Sequence, residues 1–145
     1  MFKHILLPVD GSDSSLMAVE KACGLARAFG SEVTAIYVID PYAFGGVGTD
    51  FAYGQAQYLS AATAEASAAL QSASAVLKAA GIAVHTAVIE GHAVYRGILE
   101  TASSIGADLI VMGSHGRRGL EKLVLGSVAA KVLSHAHLPI LVVRD

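Results

Sequence analysis

Short apolar runs recur along the chain, and after each one the apolar positions open out to helical spacing. Lys3 and His4 are polar. Ile5-Leu6-Leu7 then forms a run that ends at Pro8-Val9-Asp10-Gly11, which predicts a first strand over residues 2–9. Pro8 cannot donate to a ladder and marks the carboxyl end of pairing. Ser12 or Asp13 can cap the following helix. Leu16, Val19, Cys23 and Ala26 supply its stripe, and Gly30 closes it. Val33, Ala35, Ile36, Val38 and Ile39 predict a second strand over 32–39, ended by Asp40-Pro41.

Residues 42–56 are the one irregular stretch. They carry Tyr42, Phe44, Phe51 and Tyr53 among several glycines, and read as a mobile loop whose aromatics are able to cover a ligand or a subunit surface. Residues 57–80 are rich in alanine, the best helix former, with Leu59, Ala66, Leu70, Ala73, Leu77 and Ala80 near one stripe. Gly81 stops that helix. Residues 82–89 predict a third strand with partial alternation. Val94, Ile98, Ala102 and Ile105 predict a third helix ended by Gly106. Residues 109–112 predict a fourth strand. Val128, Val132, Leu133 and Ala136 predict a fourth helix, and Pro139 introduces a fifth strand over 140–143.

Strands alternating with helices imply an α/β fold. The expected form is a five-stranded, mostly parallel sheet, doubly wound, with helices on both faces and right-handed crossovers. Uniformly apolar strands agree with a sheet covered on both sides. In such sheets ligands sit beyond the carboxyl ends of the strands, where the strand order reverses.

Composition narrows the function classes. A chain of 145 residues with 54% hydrophobic and 15% charged residues reads as one globular domain, residues 1–145. A net charge of −2 gives no general nucleic-acid-binding surface. The single cysteine, Cys23, excludes a disulfide framework and reads as a small buried hydrophobe. No leader and no membrane-length apolar run is present, so the expectation is a soluble cytoplasmic protein. His135 and His137 lie two apart near a helix end, and His4, His85 and His92 are scattered, so no metal site is read.

The candidate chemistry lies in residues 107–128. A buried strand there breaks into Gly113-Ser114-His115-Gly116, then Arg117-Arg118, then Gly126-Ser127 at a new helix start. Glycine lets backbone approach a ligand closely, and the N–H groups of a helix start point at an anion. Two such sets of donors, 113–116 and 126–128, suit a di- or triphosphate held from two sides. There is no Gly-x-x-x-x-Gly-Lys-Ser/Thr and no Gly-x-Gly-x-x-Gly after the first strand.

With those residues in view, the chain resembles the universal stress protein family, and specifically its ATP-binding branch. The resemblance is carried by Ile5-Leu6-Leu7-Pro8-Val9-Asp10-Gly11-Ser12, Val38-Ile39-Asp40-Pro41 and Asp108-Leu109-Ile110-Val111-Met112-Gly113-Ser114-His115-Gly116. It continues through Gly126-Ser127-Val128-Ala129 and 137–143, and so covers essentially the whole chain. It implies a Rossmann-like, adenine nucleotide α-hydrolase-like fold with ATP as ligand. Val9 and Val38 would line the adenine pocket, with Pro8 among the contacting positions and Asp10 near the adenine and ribose edge. Met112 and Gly113 would lie against the nucleoside. His115, Gly116 and Arg117 would approach the phosphates, as would Gly126, Ser127 and Val128. Mg²⁺ would join through phosphate oxygens and water.

Other readings stay beside these. Asp10 can simply cap the first helix, and Arg117 and Arg118 can be solvated loop charges. No group is evidently aimed at an attacking water, His115 aside, so no catalytic residue is assigned and ATP turnover is expected to be slow at most. A nucleotide-dependent regulator or switch is the expected function, its signal the ordering of 42–56 and 117–125. A phosphoacceptor domain would want an aspartate after strand three, where Glu90 stands. An adenylating enzyme would use Arg117, Arg118 and Lys122. The uniformly apolar strand 140–143, expected at a sheet edge, predicts a two-fold homodimer.

Overall fold

The computed structural model describes residues 1–41, 48–115 and 125–144, with backbone alone over 48–53. Nine elements follow one another: β1 (His4–Pro8), α1 (Asp13–Phe29), β2 (Glu32–Ile39), α2 (Gly48–Ala79), β3 (Val84–Glu90), α3 (Val94–Ile105), β4 (Leu109–Gly113), α4 (Ser127–His135) and β5 (Ile140–Val143). The sheet runs in the order β3-β2-β1-β4-β5 and every pairing is parallel. The order reverses between β1 and β4, so the crevice that a doubly wound sheet opens lies at their carboxyl ends.

Period-two alternation sorts the apolar runs into two cores. Ile5, Leu7 and Val9 of the first run face the side covered by α1 and α2, with Val33, Ala35, Leu109 and Val111. Leu6 faces the other side, with Ile36, Val38, Ile110 and Met112, where Ile98, Ala102, Ala129 and Val132 from α3 and α4 close over them. Small residues dominate the buried faces of α1 (Ala18, Ala22, Ala26), which seats the helix close to the sheet. Cys23 packs at the margin of the first core, as a small hydrophobe. Ser12 is the N-cap of α1, its hydroxyl accepting the Ser15 N–H at 3.1 Å. Gly30 ends the helix at φ 66°, a conformation glycine adopts without strain.

Three expectations change. Helix α2 begins at Gly48, so residues 48–56 are helical and 42–47 lie outside the described residues. A glycine inside a helix costs only about 1 kcal/mol, and here Gln55 Nε2 donates to the Pro41 carbonyl at 3.0 Å and Tyr58 Oη to that of Asp40 at 3.3 Å. Leu16 and Leu133, placed on buried stripes by spacing, are 48% and 44% exposed. Smaller neighbours, Ser15, Ala18, Ala129 and Val132, occupy the sheet-facing positions instead. Finally, His4 and His85 are not scattered. Parallel pairing of β1, β2 and β3 brings them to the two oxygens of Glu32, at 3.2 and 3.8 Å. Among the described residues no group of ligating side chains is arranged to hold a metal, and no helix is long and apolar enough to cross a membrane.

Asp108, just before β4, anchors the start of β1. Its carboxylate accepts the Lys3 and His4 N–H groups at 2.8 and 3.1 Å. Partial burial pushes its pKa up, but the N–H donors of Lys3, His4 and Asp108 itself pull it further down, and the net shift is below the ordinary aspartate value. A carboxylate with a lowered folded-state pKa stabilises fully above its unfolded pKa and loses that contribution as pH falls through the folded one. Asp108→Ala is expected to destabilise by on the order of 1 kcal/mol at neutral pH, modest because the site is partly solvated. Urea midpoints against pH are expected to fall on the acid side for the parent protein and to flatten there for Asp108→Asn.

Candidate functional site

At the carboxyl ends of β1, β2 and β4 lies a cavity of about 470 Å³, within the roughly 300–1,000 Å³ usual for small-molecule sites. Pro8, Val9, Asp10, Val38, Met112, Gly113, His115, Gly126, Ser127 and Val128 all line it. Gly116 and Arg117, with Arg118 and Lys122, fall outside the described residues. Among the described residues the lining also includes Ser12, Ser15, Tyr37, Val94, Ile98 and Ala129. Val94 and Ile98 were legible only as a helix stripe. Ser12 was legible as a helix cap, and Ser15 carried no signal of its own.

The wall below the first strand is built by turn chemistry. Gly11 takes φ 80°, which swings the chain from β1 into α1. Asp10 Oδ1 accepts the Ser12 N–H at 2.9 Å, and the Asp10 N–H donates to Ser15 Oγ at 3.2 Å. Asp10 therefore braces the turn and Ser12 caps the helix, and both residues line the cavity.

The opposite wall depends on two close approaches. A Cβ on Gly113 would fall 2.3 Å from Ser14 Oγ and 2.8 Å from the Ser14 carbonyl carbon. That space belongs to the first turn of α1. Ser14, 1% exposed, accepts the Ser114 N–H at 2.8 Å and donates to the Val143 carbonyl at 3.2 Å. The Ser114 N–H also reaches Val143 O at 2.8 Å. One buried hydroxyl thus ties α1, the end of β4 and the end of β5. A Cβ on Gly126 would fall 2.8 Å from His115 Cα, and the Gly126 N–H donates to Ser114 O at 2.7 Å. Both glycines therefore admit protein backbone. Neither needs a left-handed φ, and that of Gly126 is −64°.

His115 Nδ1 is 3.1 Å from Ser114 Oγ, which orients the ring at the rim. Helix α4 has Gly126 as its N-cap, with no side-chain cap among the described residues and no acidic residue in its first turn. Its first turn, Ser127 to Ala129, lines the cavity, and a helix start carries the positive end of the dipole and N–H groups without intrahelical partners. The remaining wall is apolar: Val9, Val38, Ile98 and Met112. The arrangement suits a flat, largely apolar group at one end and an anion at the other.

A parallel sheet of this order, with its cavity at the reversal point, defines a doubly wound α/β domain. Residues 1–144 match the model of the Universal stress protein family, and the chain belongs to that family. It is 40% identical to a universal stress protein of Methanocaldococcus jannaschii over 99% of this chain and 83% of that one. Its fold matches a universal stress protein from Lactobacillus plantarum with a TM-score of 0.88, at 26% identity, over 99% of this chain and 98% of that one. It also matches a universal stress protein solved in complex with cAMP, with a TM-score of 0.69 at 28% identity, over 99% and 97% of the two chains.

Gly113→Ala is expected to destabilise by about 1–3 kcal/mol, the usual range for overpacking, because the contacted atoms include backbone. Gly24→Ala, a helical position with nothing within 4 Å of the new methyl, is expected to stabilise by about 0.5–1 kcal/mol. Urea unfolding of the two variants checks both signs.

Proposed function

We propose that the protein is an ATP-binding regulator of the stress response, whose ligand occupies the cavity over β1, β2 and β4. The observation that carries this reading is the meeting, in one cavity, of an apolar slot with a helix N-terminus that no described side chain caps. The base lies against Val9, Val38 and Met112, with Pro8 beside them. Asp10 faces the ribose edge and Gly113 the nucleoside. The phosphates meet His115, Gly126, Ser127 and Val128, with Gly116 and Arg117 joining them. Mg²⁺ attaches through phosphate oxygens and water rather than through protein ligands. The adenine nucleotide in the cAMP-bound relative supports the same ligand class.

Turnover is slow at most, since a cradle that binds ground and transition states alike gives no acceleration. Signalling then comes from a nucleotide-dependent switch of the protein between its empty and loaded states, in the cytoplasm where ATP is concentrated. The phosphoacceptor alternative is disfavoured by topology: β2 stands between β1 and β3, which separates Glu90 from Asp10.

Titration with ATP, together with mass spectrometry of any co-purifying small molecule, tests the reading. ATP is expected to bind with one site per chain, and Ser127→Ala to weaken it about threefold to tenfold through loss of a hydroxyl–phosphate hydrogen bond. A folded protein with no affinity for any adenine nucleotide overturns it. Labelled ATP is expected to be retained unchanged, whereas label on the protein or on a small molecule would favour the phosphoacceptor or the adenylating enzyme.

A homodimer through 140–143 belongs to the same proposal. Strand β5 is an edge of the sheet and Leu141 is 38% exposed on it. Sizing at high concentration is expected to give a dimer, and Leu141→Asp a monomer; a parent protein that stays monomeric sinks this part.

A further inference from the structure

Helix α3 enters the cavity wall through a strained residue. Ala93, its N-cap, has φ 84° and ψ 125°, outside the left-handed well that non-glycine residues visit. It offers no side-chain cap of its own. Instead its N–H donates to Asp40 Oδ2, at the end of β2, at 3.2 Å. Its carbonyl accepts the Gly97 N–H at 3.3 Å. Such a conformation persists only where the surroundings over-determine it.

The surroundings here are tight. A Cβ on Gly97 would fall 2.7 Å from Val38 Cγ1, so α3 sits directly on the β2 residue that lines the cavity. The Gly91 N–H donates to Ile39 O at 3.0 Å, fixing the turn before Ala93. Asp40 is also held from the other side, its carbonyl accepting the Tyr58 hydroxyl of α2 at 3.3 Å.

We propose that Asp40 is a positioning residue for the proposed nucleotide site. By accepting the Ala93 N–H it caps α3 from another strand, holds the strained turn, and so sets how closely Val94 and Ile98 face Val38 across the slot for the base. This rests on the proposed function for the identity of the ligand, but not for the clamp itself. Asp40 touches no reacting group; it acts through the backbone of residue 93.

The test is a double-mutant cycle of Asp40→Ala and Ala93→Gly, with Asp40→Asn as the conservative variant. Melting temperature is read without ligand, and affinity is read for ATP and for tripolyphosphate, which has no base. Asp40→Ala is expected to weaken ATP about tenfold, the scale of losing one charge-assisted hydrogen bond, and to leave tripolyphosphate unchanged. Asp40→Asn, which keeps an acceptor oxygen, is expected to restore most of the affinity. In the Ala93→Gly background the backbone is no longer strained, and the effect of Asp40→Ala is expected to shrink to about twofold or less in affinity. It is expected to shrink likewise in melting temperature. Equal losses in both backgrounds, an ATP affinity indifferent to residue 40, or parallel losses for ATP and tripolyphosphate overturn the proposal. If the parent protein binds no adenine nucleotide, the proposed function falls, and the clamp stands or falls on the melting-temperature cycle alone.

Discussion

The fold's central joint is the contact between the last residue of β4 and the first turn of α1. Gly113 leaves the space that Ser14 fills, and the Ser14 hydroxyl then joins the Ser114 N–H to the Val143 carbonyl. At 1% exposure, a polar group there must be fully bonded, and it is. The joint lies where the strand order reverses. It fixes at once the start of α1, with Asp10 and Ser12, and Ser114, whose carbonyl accepts the Gly126 N–H. A side chain at 113 would push α1 away and open the cavity floor. The same hydroxyl reaches the edge strand β5, so any partner pairing along that edge acts on a strand hydrogen-bonded to the cavity wall.

Small residues carry this closeness beyond one point. Gly97 lets α3 sit on Val38, and the alanines of α1 and α2 bring those helices onto the opposite face. Close-packed interiors transmit small displacements rather than absorbing them. The cavity is therefore shaped by glycine and alanine at its margins as much as by the side chains that line it.

Much of this was legible in the chain itself. Ile5-Leu6-Leu7 and Leu109 to Met112 read as buried strands because a strand covered on both faces needs no polar alternation. The cavity position followed from topology and from Gly113 and Gly126. What stayed hidden was set by tertiary partners. Spacing placed Leu16 and Leu133 inside because it carries no information about which of several adjacent positions meets the sheet. The start of α2 depends on Gln55 and Tyr58 reaching back to Pro41 and Asp40, contacts no local propensity reports. His4 and His85 meet only because β1, β2 and β3 pair in register around Glu32. The reason for Gly113 was half visible: glycine signalled a close approach, but not that Ser14 makes it.

Three helices, α1, α3 and α4, begin around the cavity, and their ends differ in a way that directs charge. Each start exposes N–H groups that need an acceptor. In α1 the Ser12 hydroxyl supplies one, and Asp13 places negative charge in the first turn. In α3 the Asp40 carboxylate reaches across from β2. In α4 neither exists: Gly126 has no side chain to cap with and the first turn, Ser127-Val128-Ala129, carries no acid. The positive end of α4 is thus the one left uncompensated by the described residues. An anion entering the cavity gains most there, while Asp10 repels it from the α1 side. The polarity of the site follows from which helices the sequence caps and which one it leaves open.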